Sequence, residues 1–167
     1  MRTSNLNIIK NHEGLRLKAY KCSAGVLTIG YGHTKDVTHD MVITEPDAEL
    51  LLIQDIIYFE KQLNSLNLNL NQNQFDALIS WIFNLGFYAF MDSTLKRLIE
   101  RGNYMDDIMK VHDLSNGEGC KKFLLEDKRI DLSALEYNFV RWCQAGGNAL
   151  RGLYNRRKDE YKLFTTV

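Results

Sequence analysis

His12–Thr34 reads HEGLRLKAYKCSAGVLTIGYGHT, and this stretch decides the fold. From Leu15 to His33 polar and apolar side chains alternate, Gly25, Gly30 and Gly32 punctuate the run, and β-branched and aromatic residues are favoured. That pattern predicts a small antiparallel hairpin with its turn at Ala24–Gly25. Upstream, Leu6, Ile8 and Ile9 predict a short helix over residues 3 to 12 that stops near the Glu13–Gly14 pair. The stretch therefore sets a carboxylate at a helix end, then a strand, a turn and a second strand carrying the Thr28 hydroxyl. A carboxyl group so placed can be partly desolvated and keep its proton near neutral pH, as an acid catalyst needs. The plainer reading of Glu13 is a solvated helix-end charge.

Working outward, Thr44-Glu45-Pro46-Asp47 is a helix start, because Thr44 can cap free amides, Pro46 has its φ preset and Asp47 completes the reciprocal box. A long helix to about Leu63 follows. Asn64–Asn73 has alternating leucines, yet its asparagines favour a loop. Gln74–Leu85 is apolar nearly all round, as a central buried helix should be, and Gly86 ends it. Ser93–Arg101 and Tyr104–His112 read as helices separated by Gly102, Asn116–Asp131 as an irregular excursion, and Leu132–Gln144 and Gly152–Phe164 as the last helices. The fold class is α+β and mostly helical. One domain spans 1–167: helix 1 at about 3–12, an N-terminal lobe at about 13–63 with the small sheet, a long helix as the junction, and a helical C-terminal lobe at about 64–167.

Lys plus Arg and Asp plus Glu both number 21, so net charge gives no ground for binding a nucleic acid. Arg151, Arg156, Arg157, Lys158 and Lys162 outnumber Asp159 and Glu160 near the C-terminus. This basic stretch is either a solvated helix face or a surface that meets an anionic polymer such as a cell wall. Cys22, Cys120 and Cys143 are widely spaced, form no CxxC pair and have no metal-ligand spacing, so no metal or cofactor is expected and a reduced, cytosolic place of synthesis fits. Met1–His12 has no apolar run of signal-peptide length, and no segment approaches the ~20 apolar residues of a membrane span. Stable membrane insertion is not expected.

EGLRLKAY at Glu13–Tyr20 followed by TIGYGHT at Thr28–Thr34 resembles the signature of the T4-type phage lysozymes, glycoside hydrolases that cut bacterial peptidoglycan. The resemblance continues in QFDAL at Gln74–Leu78, FNLG at Phe83–Gly86, Trp142, Ala145-Gly146-Gly147, Gly152-Leu153 and Arg156-Arg157, and is weakest over 116–131. It implies a two-lobed lysozyme-like fold and a muramidase that hydrolyses β-1,4 bonds between N-acetylmuramic acid and N-acetylglucosamine, with inversion at the anomeric carbon. It further implies a phage endolysin, made in the host cytoplasm, released with the help of a holin and acting on the periplasmic wall, with a monomer as the default. The alternative from another class is a non-catalytic peptidoglycan-binding relative.

Carried over by position, the family's catalytic glutamate falls on Glu13 and its water-positioning threonine on Thr28, while Cys22 stands where an aspartate is common. Cys22 has three readings: a working replacement, a bystander in a site run by Glu13 and Thr28 at reduced activity, or the mark of a dead relative. We favour activity, since a thiolate is a competent base and nucleophile. The resemblance also assigns saccharide contacts to Gly32, His33, Thr34, Phe83, Asn84 and Ser93, a stacking role to Trp142 and a pairing of Arg151 with Glu13. Three of these have structural alternatives: His33 as a histidine bonded to a carboxylate, Phe83 as a core residue, and Trp142 as a structural indole.

Overall fold

The computed structural model describes residues 3–22, 25–102, 107–115 and 120–166. The chain divides into two compact units, Met1–Asn67 and Leu68–Val167. The fold is α+β and mostly helical, with small antiparallel sheets.

The first unit runs α1 (Asn7–Glu13), β1 (Arg16–Lys21), β2 (Leu27–Gly30) and α2 (Glu45–Ser65). β1 and β2 pair antiparallel, with Tyr20 opposite Thr28 and Arg16 opposite Gly30, and the register shifts between Arg16 and Tyr20. At the turn, Gly25 has φ +77° and donates its N–H to the Cys22 carbonyl at 2.8 Å; Ala24 lies outside the described residues. The Thr44 cap forms as expected: its hydroxyl accepts from the Asp47 N–H at 3.3 Å, and Asp47 Oδ2 accepts from the Thr44 N–H at 3.0 Å. α2 packs on β2 where Gly30, at φ +66°, lets the strand end come close; a Cβ there would lie 3.4 Å from Ala48 Cβ. Ile9, Ile29, Leu52 and Ile56 are buried in this unit. α1 is only seven residues long, and helices this short are not stable in isolation. Burial of Ile9, an ion pair from Lys10 to Glu49 on α2 and the packing of Lys10 over the Tyr31 ring hold it in place.

The second unit runs α3 (Gln72–Leu85), α4 (Phe87–Asp92), α5 (Thr94–Arg101), β3 (Ile108–Lys110), a 3-10 turn (Val111–Asp113), α6 (Cys120–Glu126), β4 (Asp131–Ser133), α7 (Ala134–Val140), β5 (Gln144–Ala145), β6 (Asn148–Ala149) and α8 (Arg151–Thr165). α3 is buried along Phe75–Ile82, as its apolar circumference requires, and packs chiefly on α8. Between them Glu160 Oε1 accepts from Ser80 Oγ at 2.7 Å, Arg157 Nη2 at 2.8 Å and Arg156 Nε at 3.1 Å. Arg156 and Arg157 are thus buried ion-pair partners, which corrects their expected place on a solvated or wall-facing surface. A side chain as long as arginine enters a core only with such partners. Among the described residues no helix is long and apolar enough to cross a membrane.

Three predicted elements differ. The helix over Tyr104–His112 is instead strand β3 and the 3-10 turn, its first three positions lying outside the described residues. Ile108–Lys110 pairs with Asp131–Ser133, a non-local partner that local periodicity cannot reveal. The excursion 116–131 contains α6, whose Cys120, Phe123 and Leu124 enter a core with Val111, Leu132, Tyr137, Val140 and Cys143; positions 116–119 lie outside the described residues. The helix expected to run to Gln144 stops at Val140, because Gly146 and Gly147, at φ +57° and +78°, turn a two-residue hairpin between β5 and β6.

α6 is fastened to α8 through Asp127, which accepts from Lys158 Nζ at 2.7 Å, from Arg151 and from the Tyr154 hydroxyl at 3.2 Å. These two cations hold its pKa down at about 2, so the latch is complete above the ordinary carboxylate range and is lost as pH falls through about 2. Asp127→Asn is expected to cost about 1 kcal/mol at neutral pH. Thermal melts of both proteins should converge as pH is lowered from about 4 to about 2; a gap that persists at pH 2 would show that the charge is not the source.

Candidate active site

The candidate residues of the first unit come together through backbone geometry. Glu13 is the last residue of α1, where Gly14 at φ +71° ends the helix and returns its N–H to the Lys10 carbonyl at 3.3 Å. The segment after β2 doubles back, with Ile29 and His33 exchanging both N–H···O bonds at 2.9 Å. Such a tight reversal needs left-handed backbone at Gly30 and Gly32. It presents Gly32, at φ +103°, to the acid: a methyl group on Gly32 would lie 3.9 Å from Glu13 Oε2.

Cys22 and Thr28 meet at one atom. The Val26 carbonyl accepts the Cys22 N–H at 2.9 Å and the Thr28 hydroxyl at 3.1 Å. Thr28 is buried and Cys22 is half-buried. Because its proton goes to Val26, the Thr28 hydroxyl faces any further partner as an acceptor. The hairpin turn thus fixes the Cys22 backbone and the Thr28 hydroxyl on one carbonyl, while Glu13 is half-buried beside Gly32.

His33 carries the carboxylate bond that its structural reading anticipates. Its Nδ1 lies 2.9 and 3.0 Å from the two carboxylate oxygens of Asp55 on α2. This pair ties the doubled-back segment to the long helix and leaves Nε2 as the nitrogen not turned to Asp55. Thr34 is exposed at the same edge. Asp55 and the Lys10–Glu49 pair were missed from the sequence, since nothing in α2 distinguishes these acids from its other charges until the fold aligns them.

The sequence model of the phage lysozyme family matches residues 10–129, which include every one of these positions. The chain belongs to the phage lysozyme family. It is 37% identical to the endolysin of Acyrthosiphon pisum secondary endosymbiont phage 1, over 97% of this chain and 95% of that one. It is 36% identical to the endolysin of Bacillus phage PZA over 98% of its own length, but spans only 54% of that relative. Among solved structures, a variant of P22 lysozyme superposes with a TM-score of 0.75 at 34% identity, covering 99% of this chain and all of that one. Family membership makes the chain a glycoside hydrolase of the lysozyme type, directed at peptidoglycan.

The lysozyme's other candidate positions lie in the second unit. Phe83 and Asn84 are half-buried at the C-terminal end of α3, and Asn84 Oδ1 is buried with no hydrogen-bond partner among the described residues. Trp142 is half-buried and meets Trp81 edge to face, with centroids 5.2 Å apart, consistent with a structural indole that keeps one exposed side. Ser93 caps α5, accepting from the Lys96 N–H at 3.0 Å and donating to the Phe90 carbonyl at 2.7 Å, so its hydroxyl is occupied. Within the second unit the charge partners of Arg151 are Asp127 and, at 3.6 Å, Glu126, with its guanidinium also over Phe123 and Tyr154.

Proposed function

We propose that this lysozyme is a muramidase that hydrolyses the β-1,4 bond between N-acetylmuramic acid and N-acetylglucosamine, with Glu13 as the general acid. Glu13 protonates the glycosidic oxygen as the bond to the anomeric carbon breaks. A water molecule adds to that carbon, giving up its proton to the Cys22 thiolate. Thr28 accepts a hydrogen bond from the water and directs its lone pair at the carbon. Gly32 leaves room for a sugar beside Glu13, while His33 and Thr34 line the edge. Phe83, Asn84 and Trp142 supply saccharide contacts from the second unit. No cofactor takes part. The observation that carries this reading is that the Cys22 N–H and the Thr28 hydroxyl share one carbonyl in the hairpin that follows Glu13.

As an endolysin the protein accumulates in the host cytoplasm, acts as a monomer and reaches the periplasmic wall after a holin opens the membrane. The test is digestion of purified Gram-negative walls under reducing conditions, followed by mass spectrometry of the fragments. Disaccharide-peptides with a reducing N-acetylmuramic acid end are the expected product. Reducing N-acetylglucosamine ends would overturn the bond assignment, and saccharide binding without any fragment would establish the non-catalytic reading.

A further inference from the structure

The basic stretch of α8 does not form the cationic surface that its sequence suggests. Arg156 and Arg157 are buried on Glu160, and Arg151 and Lys158 are paired with Asp127. The cationic surface lies elsewhere. No acidic residue occurs between Glu13 and Asp36, whereas Arg16, Lys18, Lys21 and Lys35 do. All four are exposed, and among the described residues none has a carboxylate within ion-pair distance. The Arg16 guanidinium sits 5.7 Å from the centroid of the Tyr20 ring, an arrangement that orients the charge without neutralising it. Leu17, Tyr20 and Val26 are 39–46% exposed on the same hairpin, so the cations are set among apolar surface. This run of cations without an acid stands out in a chain of zero net charge; Arg16, Lys18 and Lys21 lie on β1 of the hairpin that holds Cys22 and Thr28, and Lys35 just follows the doubled-back segment after β2.

We infer that the hairpin, with the segment that follows it to Lys35, is an interaction surface for the peptide stems of peptidoglycan, whose free carboxylates these four cations attract. The inference rests on the muramidase reading. Exposed charges like these are screened over about 8 Å at physiological salt, so their action is on encounter and retention near the site and weakens as salt rises. The apolar side chains between them match the short aliphatic residues of a stem. The surface thereby selects peptide-bearing glycan over bare glycan, while the sugar contacts beside Glu13 are left unchanged.

The experiment measures binding to sedimented walls in a Glu13→Gln background, so that the walls stay intact. Lys18→Gln/Lys21→Gln/Lys35→Gln is expected to weaken binding roughly tenfold at low salt and to flatten its salt dependence. Its melting temperature should be unchanged, because the three side chains are exposed. Walls whose stem carboxylates have been amidated should bind the unmutated hairpin as weakly as native walls bind the triple variant. Walls stripped of phosphate polymers should bind as native walls do. Equal binding of triple variant and parent to native walls overturns the inference, and so does a loss of binding on phosphate removal with amidated walls unaffected. Wall digestion by Glu13→Gln would sink the assignment of the acid; the binding comparison is then read on ice at short times, before the walls clear, and keeps its own outcome.

Discussion

Glu13→Gln is expected to reduce wall hydrolysis by about three orders of magnitude, the range found when a general acid is removed. Glutamine has the shape of a protonated glutamate and can donate a hydrogen bond to the glycosidic oxygen. It cannot release the proton, so the leaving sugar would depart as an alkoxide. The substitution should leave the fold intact, because α1 is anchored by Ile9, by Lys10 on Glu49 and Tyr31, and by the Gly14 termination. Binding of walls should persist, which separates lost chemistry from lost structure. Glu13→Asp isolates position from acidity: it keeps a carboxyl group but draws it back by one methylene from Gly32, and a displacement of about 1 Å costs up to a hundredfold. Turbidity clearing and release of reducing ends measure both variants. If Glu13→Gln clears walls within a few-fold of the parent, another group is the acid and the assignment is wrong.

The hairpin and its neighbours were legible because their determinants are local. Alternation, three glycines and a capping sequence each act within a few residues, and Thr44, Asp47 and Gly25 do in the fold what their types allow anywhere. Legibility ended where a partner lies far along the chain. Ile108–Lys110 has ordinary helical spacing until Asp131–Ser133 pairs with it. Arg156 and Arg157 look like solvent-facing cations until Ser80 on α3 and Glu160 enclose them. The same holds in the site. Glu13 and Thr28 were visible as a carboxylate and a hydroxyl around a turn, but the role of the Val26 carbonyl as common acceptor of the Cys22 N–H and the Thr28 hydroxyl is a backbone matter with no side-chain signature. His33 could be read as bonded to some carboxylate; that Asp55 provides it depends on the packing of β2 on α2.

The charge distribution shows why counting residues misled. Net charge is zero and the densest run of cations is on α8, yet two of its five, Arg156 and Arg157, are buried on Glu160, and two more, Arg151 and Lys158, are paired with Asp127. What an approaching polymer meets depends on local balance, and the stretch from Gly14 to Lys35 carries four cations and no acid.

Cys22→Ser is expected to lower activity by at least a hundredfold, while Cys22→Asp keeps it or raises it. A serine hydroxyl is nearly isosteric with the thiol, and the Cys22 N–H bond to Val26 is unaffected by the side chain, so the hairpin should form in all three proteins. What changes is the ability to carry negative charge. A thiol of ordinary acidity ionises near pH 8.5, an aspartate near 3.9, and a serine hydroxyl not at all in this range. If Cys22 is the base that takes the proton of water, activity at neutral pH should follow aspartate, then cysteine, then serine. The ratio of cysteine to Cys22→Asp activity should rise with pH towards 8.5, because thiolate accumulates there while the aspartate is already fully ionised, and the loss of the Glu13 proton is common to both enzymes and cancels in the ratio. A thiol reagent adds an independent check, since Cys22 is half-buried while Cys120 and Cys143 are buried. One equivalent of iodoacetamide should react at Cys22 and inactivate the cysteine enzyme, yet spare Cys22→Asp. Serine and cysteine enzymes of equal rate would instead show that Glu13 and Thr28 suffice, with the thiol a spectator at the turn.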